Sequence, residues 1–176
     1  GETEMGTAAN EPQFNRILDF INVAKQDGAQ LVTGGGAARE GDLAKGLFIQ
    51  PTIFADVRND MRVAREEIFG PVLSIIPFDD EEEAIAIGND SPYGLASGVW
   101  TESLSRAMRM IRAMHTGVVW VNTYRTSAPQ APFGGMKDSG YGRERGEGGL
   151  LEFTTTKNAM IDFSDDNRDP FAMKFS

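Results

Sequence analysis

The chain has 176 residues, 40% of them hydrophobic and 24% charged, enough to enclose one sizeable core and in keeping with a soluble globular domain. Seventeen basic residues against 26 acidic ones leave a net charge of -9, which repels a phosphate backbone and an anionic bilayer, so neither nucleic acid nor membrane is an expected partner. There is no cysteine, and so no disulfide, thiolate metal site or cysteine nucleophile within the chain.

The opening stretch GETEMGTAANEPQF has neither a basic nor an apolar leader region, and no apolar run approaches bilayer length; cytoplasm is the expected compartment. It begins as a polar loop without an initiating methionine, and the chain is expected to be a piece of something longer. Over residues 10–29, Phe14, Ile17, Leu18, Ile21 and Ala24 recur at three- and four-residue intervals, which predicts a one-sided helix capped by Asn10 and stopped at Gly28. Short strands are expected at 29–33 and within 47–57, where Pro51 interrupts a β-branched run.

PVLSIIPF at 71–78 is continuously apolar and predicts a strand buried on both faces. Five acids, 79–83, follow it where a helix N-terminus favours negative charge, and they are assigned no catalytic role. ASGVW at 96–100 reads as a strand, and Leu104, Ala107, Met108, Ile111 and Met114 predict one apolar helix face, with the helix ended by Gly117. VVWVN at 118–122 is the next strand, expected to be buried. Strands alternating with helices predict an α/β fold, a layered open sheet with crossover helices.

From Thr123 the texture changes to a Pro/Gly-punctuated stretch, too long for a bare connector and typical of a functional loop, and residues 152–163 then read as a strand before a polar tail. Neither GGMKD nor the glycines of 140–149 meet a phosphate-loop pattern: Arg145 stands where the third glycine of G-x-G-x-x-G falls, and no Ser or Thr follows Lys137. His115 is the only histidine and gives little support for a metal site, and no G-x-S-x-G elbow occurs.

EEIFGPV, NDSPYGLASGVWT, TGVVWVNTY and PFGGMKDSGYGRERGEGGLLEFTTTK occur in that order, and together they resemble the aldehyde dehydrogenase superfamily over roughly residues 4–161. The resemblance implies the C-terminal part of a catalytic domain at 1–152 and an oligomerisation strand with a polar tail at 153–176. It implies NAD(P)-dependent oxidation of a small aldehyde to a carboxylic acid through a cysteine thioester, in a homodimer or homotetramer. The nucleophilic cysteine, the water-activating glutamate and the dinucleotide-binding domain of that scheme are expected upstream of Gly1, so no catalytic residue is assigned here and the chain alone is expected to be inactive. A non-catalytic oligomerisation or binding module of the same family is the alternative.

By the same resemblance, Glu67 falls on the carboxylate that grips the nicotinamide ribose of NAD or NADP, and Phe69 on the aromatic residue beside the nicotinamide ring. Phe133 matches a residue lining the aldehyde tunnel, and Tyr124 and Ser127 fall on loop positions that vary with substrate. A plain packing role stands beside the functional one for Phe69 and Phe133. Asn122 is read as structural. The arm at 152–163 is expected to be ordered by a neighbouring subunit.

Overall fold

The computed structural model describes residues 5–163. Helix α1 (Glu11–Gln26) starts where the Asn10 side chain accepts from the Gln13 N–H, at 2.9 Å, and carries Pro12 in its first turn, where a missing N–H costs nothing. It ends at Asp27, and Gly28 follows in the left-handed region at φ 91°, as its position after the periodic run predicts.

Strand β1 (Gln30–Thr33) runs antiparallel to β2 (Thr52–Ala55), and β2 runs parallel to β3 (Val72–Ser74), in the order β1-β2-β3. One turn of 3-10 helix at Gly41–Lys45 and the short helix α2 (Arg62–Arg65) lie in the connections. Ile17, Phe20, Ile21 and Ala24 of α1 bury themselves against Phe54, Val57, Met61, Val63 and Ile68, forming the main core. Phe20 is fully buried, and the guanidinium carbons of Arg62 and Arg16 stand 4.2 and 5.0 Å from its ring centroid. Thr52 is the one buried polar side chain among the described residues. Its hydroxyl donates to the Gln50 carbonyl at 2.8 Å and accepts from the Gly35 N–H at 2.9 Å.

Helix α3 (Glu81–Asn89) begins at Asp80, whose carboxylate accepts from the Glu83 N–H, while Glu83 accepts from the Asp79 N–H, a reciprocal cap of the kind that acids at a helix start provide. Strand β4 (Tyr93–Gly94) pairs with β7 (Met136–Lys137). Strand β5 (Ala96–Val99), helix α4 (Leu104–Ala113) and strand β6 (Val118–Val121) form a parallel crossover unit, with Ala96 opposite Val118 and Val99 opposite Val121. Helix α5 (Gly146–Leu151) closes the regular structure among the described residues. The strands fall into three separate small sheets, so the layered α/β plan is present in pieces.

Three local expectations are corrected. β3 is only three residues long and is not buried on both faces: Leu73 is 56% exposed, because β3 forms the edge of its sheet and no described strand pairs beyond it. β6 is half-buried along its length instead of buried, since among the described residues β5 alone lies beside it. The inward side of α4 is Ala107 and Met110, with Leu104, Met108 and Ile111 exposed, and the helix ends at Ala113 rather than at Gly117. Asn89 explains that stop: its Nδ2 donates to the Ala113 carbonyl and its Oδ1 accepts from the His115 N–H, both at 2.8 Å. Gly117 is needed for close approach instead, as a Cβ there would fall 1.8 Å from the Gly134 carbonyl oxygen. Described residues 152–163 have no strand neighbour within this chain, and the pairing expected for them is with a second subunit. The polar tail beyond residue 163 lies outside the described residues.

Candidate functional site

The segment that carries Glu67 and Phe69 runs from α2 to β3 and is held by α1 across more than fifty residues of sequence. Gln13 Nε2 donates to the Ile68 and Phe69 carbonyls at 2.9 and 3.1 Å, and Arg16 Nη2 donates to the Glu67 carbonyl at 3.0 Å. Ile68 points into the core at 8% exposure, which turns its neighbours outward. Phe69 has φ 57°, a conformation that L side chains rarely adopt, and its ring is 78% exposed. Phe69 is thus no part of this chain's own core; it lines an apolar cavity of about 450 Å³ that also touches Gln13, Ile17, Ile49 and Pro71. The Glu67 carboxylate is exposed and has no hydrogen-bond or ion-pair partner among the described residues. Gly70 follows because α1 passes close by: a Cβ there would meet Ile17 at 2.6 Å.

Tyr124, Ser127 and Phe133 line one cavity of about 570 Å³, together with Trp120, Arg125, Glu144 and Arg145. The loop that brings them together is pinned at several points. Asn122, at φ 52°, donates from Nδ2 to the Thr101 carbonyl at 2.9 Å and accepts at Oδ1 from the Thr101 N–H at 2.8 Å, which extends the β5–β6 pairing by a side chain and fits a structural role. Trp120 Nε1 donates to the Thr126 carbonyl, and its ring meets Tyr124 edge-on at 5.6 Å. Phe133 and Glu144 exchange two backbone hydrogen bonds of 2.7 Å, so the Phe133 ring faces the cavity from a fixed backbone. Arg143 Nη1 donates to the Gly135, Tyr141 and Gly142 carbonyls and gathers the glycine-rich turn around one cation.

The two groups of candidates are not brought together: no residue lines both cavities. Lys137 is not available for phosphate, since its ammonium donates to the Asn89 and Ser91 carbonyls at 2.9 and 3.0 Å. No cluster of three metal-ligating side chains occurs among the described residues. Sequence reasoning passes over Gln13 and Arg16 as supports for the Glu67–Phe69 backbone and Arg125 and Arg145 as cavity-lining residues. Arg125 lies between Tyr124 and Ser127 in sequence, whereas Arg145 stands twelve residues beyond Phe133, where no adjacency points to it.

Between α3 and α4, Glu81 accepts from Arg109 Nε and Nη2 at 2.6 and 2.7 Å and from Arg106 Nε at 3.1 Å. The Arg109 hydrogen bonds, chiefly, hold its carboxyl at about 2, below the ordinary 4.5. This pairing ties two helices together and involves none of the five candidate residues.

With the geometry in place, comparison with known proteins identifies the chain. The profile of the aldehyde dehydrogenase family matches residues 1–159, and the chain belongs to that family. It is 44% identical over 161 residues to betaine aldehyde dehydrogenase of Vibrio vulnificus, covering 92% of this chain and 33% of the relative. It is 46% identical to the mitochondrial aldehyde dehydrogenase of Equus caballus over 160 residues, 91% of this chain and 31% of the relative. Among solved structures, an aldehyde dehydrogenase of Mycobacterium tuberculosis complexed with NAD+ superposes with a TM-score of 0.82 at 50% identity, covering 86% of this chain and 31% of the other. The chain thus spans about a third of the length of these relatives.

Proposed function

We propose that this chain is part of an NAD(P)-dependent aldehyde dehydrogenase that oxidises an aldehyde to a carboxylic acid through a cysteine thioester, and that it supplies the wall of the aldehyde site and the nicotinamide-side support. The observation that carries this reading is the gathering of Tyr124, Ser127 and Phe133 around one cavity in a chain of this family. The chain has no cysteine, so the nucleophile of this scheme comes from outside these 176 residues, and the chain alone is inactive.

The residues present fit a dinucleotide. Glu67 offers an exposed, unpartnered carboxylate, able to accept from two vicinal hydroxyls, and Phe69 offers an exposed ring positioned by bonds to its backbone rather than by packing. When bound, the nicotinamide takes up the hydride. Several neighbouring structures of the family, that of Mycobacterium tuberculosis among them, are complexes with NAD+, which supports NAD or NADP here. Glu67 orients the ribose, Phe69 limits the swing of the ring, and Phe133 with Tyr124 excludes water from the aldehyde's apolar body while Ser127 leaves the entrance wider and more polar.

Residues 1–152 belong to the catalytic domain in this reading, and 153–176 to an arm that pairs with a second subunit of a cytoplasmic homo-oligomer. The support is the exposure of Phe153, Met160, Ile161 and Phe163, between 73% and 93%, on a backbone with no strand partner. No described helix is long and apolar enough to cross a membrane. A second reading is a non-catalytic family module that works by oligomerising through the exposed apolar side chains of 153–163.

The test is to measure aldehyde-dependent reduction of NAD+ and NADP+ by the full-length protein containing this chain, by the 176-residue chain alone, and by a full-length Glu67→Gln variant. The expected result is turnover by the full-length protein only, with the variant raising KM for the dinucleotide by about ten-fold, the scale of a lost charge-assisted hydrogen bond. No turnover by the full-length protein favours the oligomerising module.

A further inference from the structure

The cavity that holds Tyr124, Ser127 and Phe133 also carries Arg125 and Arg145, and neither guanidinium has a hydrogen-bond or ion-pair partner among the described residues. Arg145 stands over the Phe133 ring, 5.9 Å from its centroid, which places its charge beside the aromatic wall of the cavity. The other charged residue of the lining is Glu144, and it forms no ion pair with either arginine. The lining therefore holds a net single positive charge in a chain whose total is -9.

Backbone conformation adds a second, independent observation. Arg125 has φ 57°, and Arg145 has φ 65° with ψ 170°, a region occupied almost only by glycine. Such a placement is strained relative to relaxed backbone and is held only where the surroundings over-determine it. Phe133 and Glu144 provide that constraint for Arg145, through their paired backbone hydrogen bonds one residue away. Both arginines are thus fixed at the cavity in conformations that glycine would adopt without strain.

We infer that the aldehydes accepted by this site carry a carboxylate at the far end, bound by Arg125 and Arg145, while Phe133 and Tyr124 pack against the chain between the two functional groups. A planar guanidinium matches the two oxygens of a carboxylate in a fork and remains charged at every physiological pH. A monoanion balances the single net positive charge of the lining, whereas a phosphate dianion would exceed it. Ser127 adds a hydroxyl to the same wall in place of apolar surface. This inference rests on the dehydrogenase reading and specifies its substrate class.

Two four-carbon aldehydes that differ only in the terminal group, 4-oxobutanoate and butanal, separate the possibilities when offered to the full-length protein with NAD+ or NADP+. The expected result is a preference for 4-oxobutanoate of about ten-fold or more in kcat/KM, with Arg125→Gln and Arg145→Gln each costing about ten-fold more in kcat/KM on 4-oxobutanoate than on butanal, mainly through KM. Arg125→Lys and Arg145→Lys, which keep the charge and lose the fork, retain part of the preference. Equal losses on both aldehydes mark the arginines as loop supports and overturn the inference, as does a wild-type preference for butanal. Turnover of neither aldehyde overturns the dehydrogenase reading and this inference with it; turnover of butanal without preference overturns the substrate class alone.

Discussion

Phe20 and Phe54, in the first half of the chain, are completely buried, whereas the most enclosed large side chain among the described residues of the second half, Met110 on α4, keeps 9% of its surface. The first half meets its own needs: α1, α2 and the β1-β2-β3 sheet close over each other. The second half has regular α/β topology but little core of its own, and Trp100, Leu104 and Phe153 stand 64%, 77% and 91% exposed. Apolar surface left open on this scale belongs to interfaces. The comparison teaches that a correct crossover unit and a self-sufficient core are separate achievements, and that a chain one third the length of its relatives can have the first without the second.

Four measurements break or sharpen that contrast. Phe54→Ala removes a completely buried ring and is expected to lower the unfolding free energy of the chain by about 3–5 kcal/mol in denaturant titration; a loss below about 1 kcal/mol would erase the distinction between the halves. Thr52→Val keeps the shape but leaves the Gly35 N–H without its acceptor, with an expected loss of about 1–3 kcal/mol in the same titration.

Acid titration probes the helix pair of the second half. The folded pKa of Glu81, about 2, lies below its ordinary 4.5, so its contribution is fully present above about 4.5 and is lost as the pH falls through about 2. Amide protection of α3 and α4, corrected for the intrinsic pH dependence of exchange, is expected to hold above about pH 4.5 and to fall progressively from there to about pH 2, and a side-chain NMR titration centred at 4.5 would show that the Arg106 and Arg109 pairs do not form. The smallest effect belongs to Leu104→Ala: at 77% exposure, it is expected to shift stability by no more than about 0.5 kcal/mol, and a larger loss would mean that this face is covered.

Much of the fold is legible in the amino-acid pattern wherever local physics decides. Asn10 caps α1 as a side-chain oxygen ahead of apolar periodicity predicts, the acids of 79–83 fall at the start of α3, and the β5–α4–β6 order follows from alternating patterns. α2, β4, β7 and α5 carry no such signal, because elements of two to six residues are fixed by tertiary contacts rather than by their own propensity. α5 even forms over GEGGLL, a run that reads as loop. The outward turn of Leu104 escapes prediction for a related reason, since periodicity marks an apolar face without saying what lies against it. For the candidate site, the motif order names Tyr124, Ser127 and Phe133, and the structure gathers them, but no sequence pattern reveals that Arg125 and Arg145 share their cavity.

The hold of Gln13 and Arg16 on three successive carbonyls, those of Glu67, Ile68 and Phe69, has a mechanical consequence. Two side chains on one helical turn grip a segment that bears two outward groups, so α1 acts as a lever: a slide or roll of the helix carries Glu67 and Phe69 with it as a unit instead of being absorbed by slack in the loop. Substitutions far along α1, with no contact to either residue, will then be felt as changes in where that carboxylate and that ring stand.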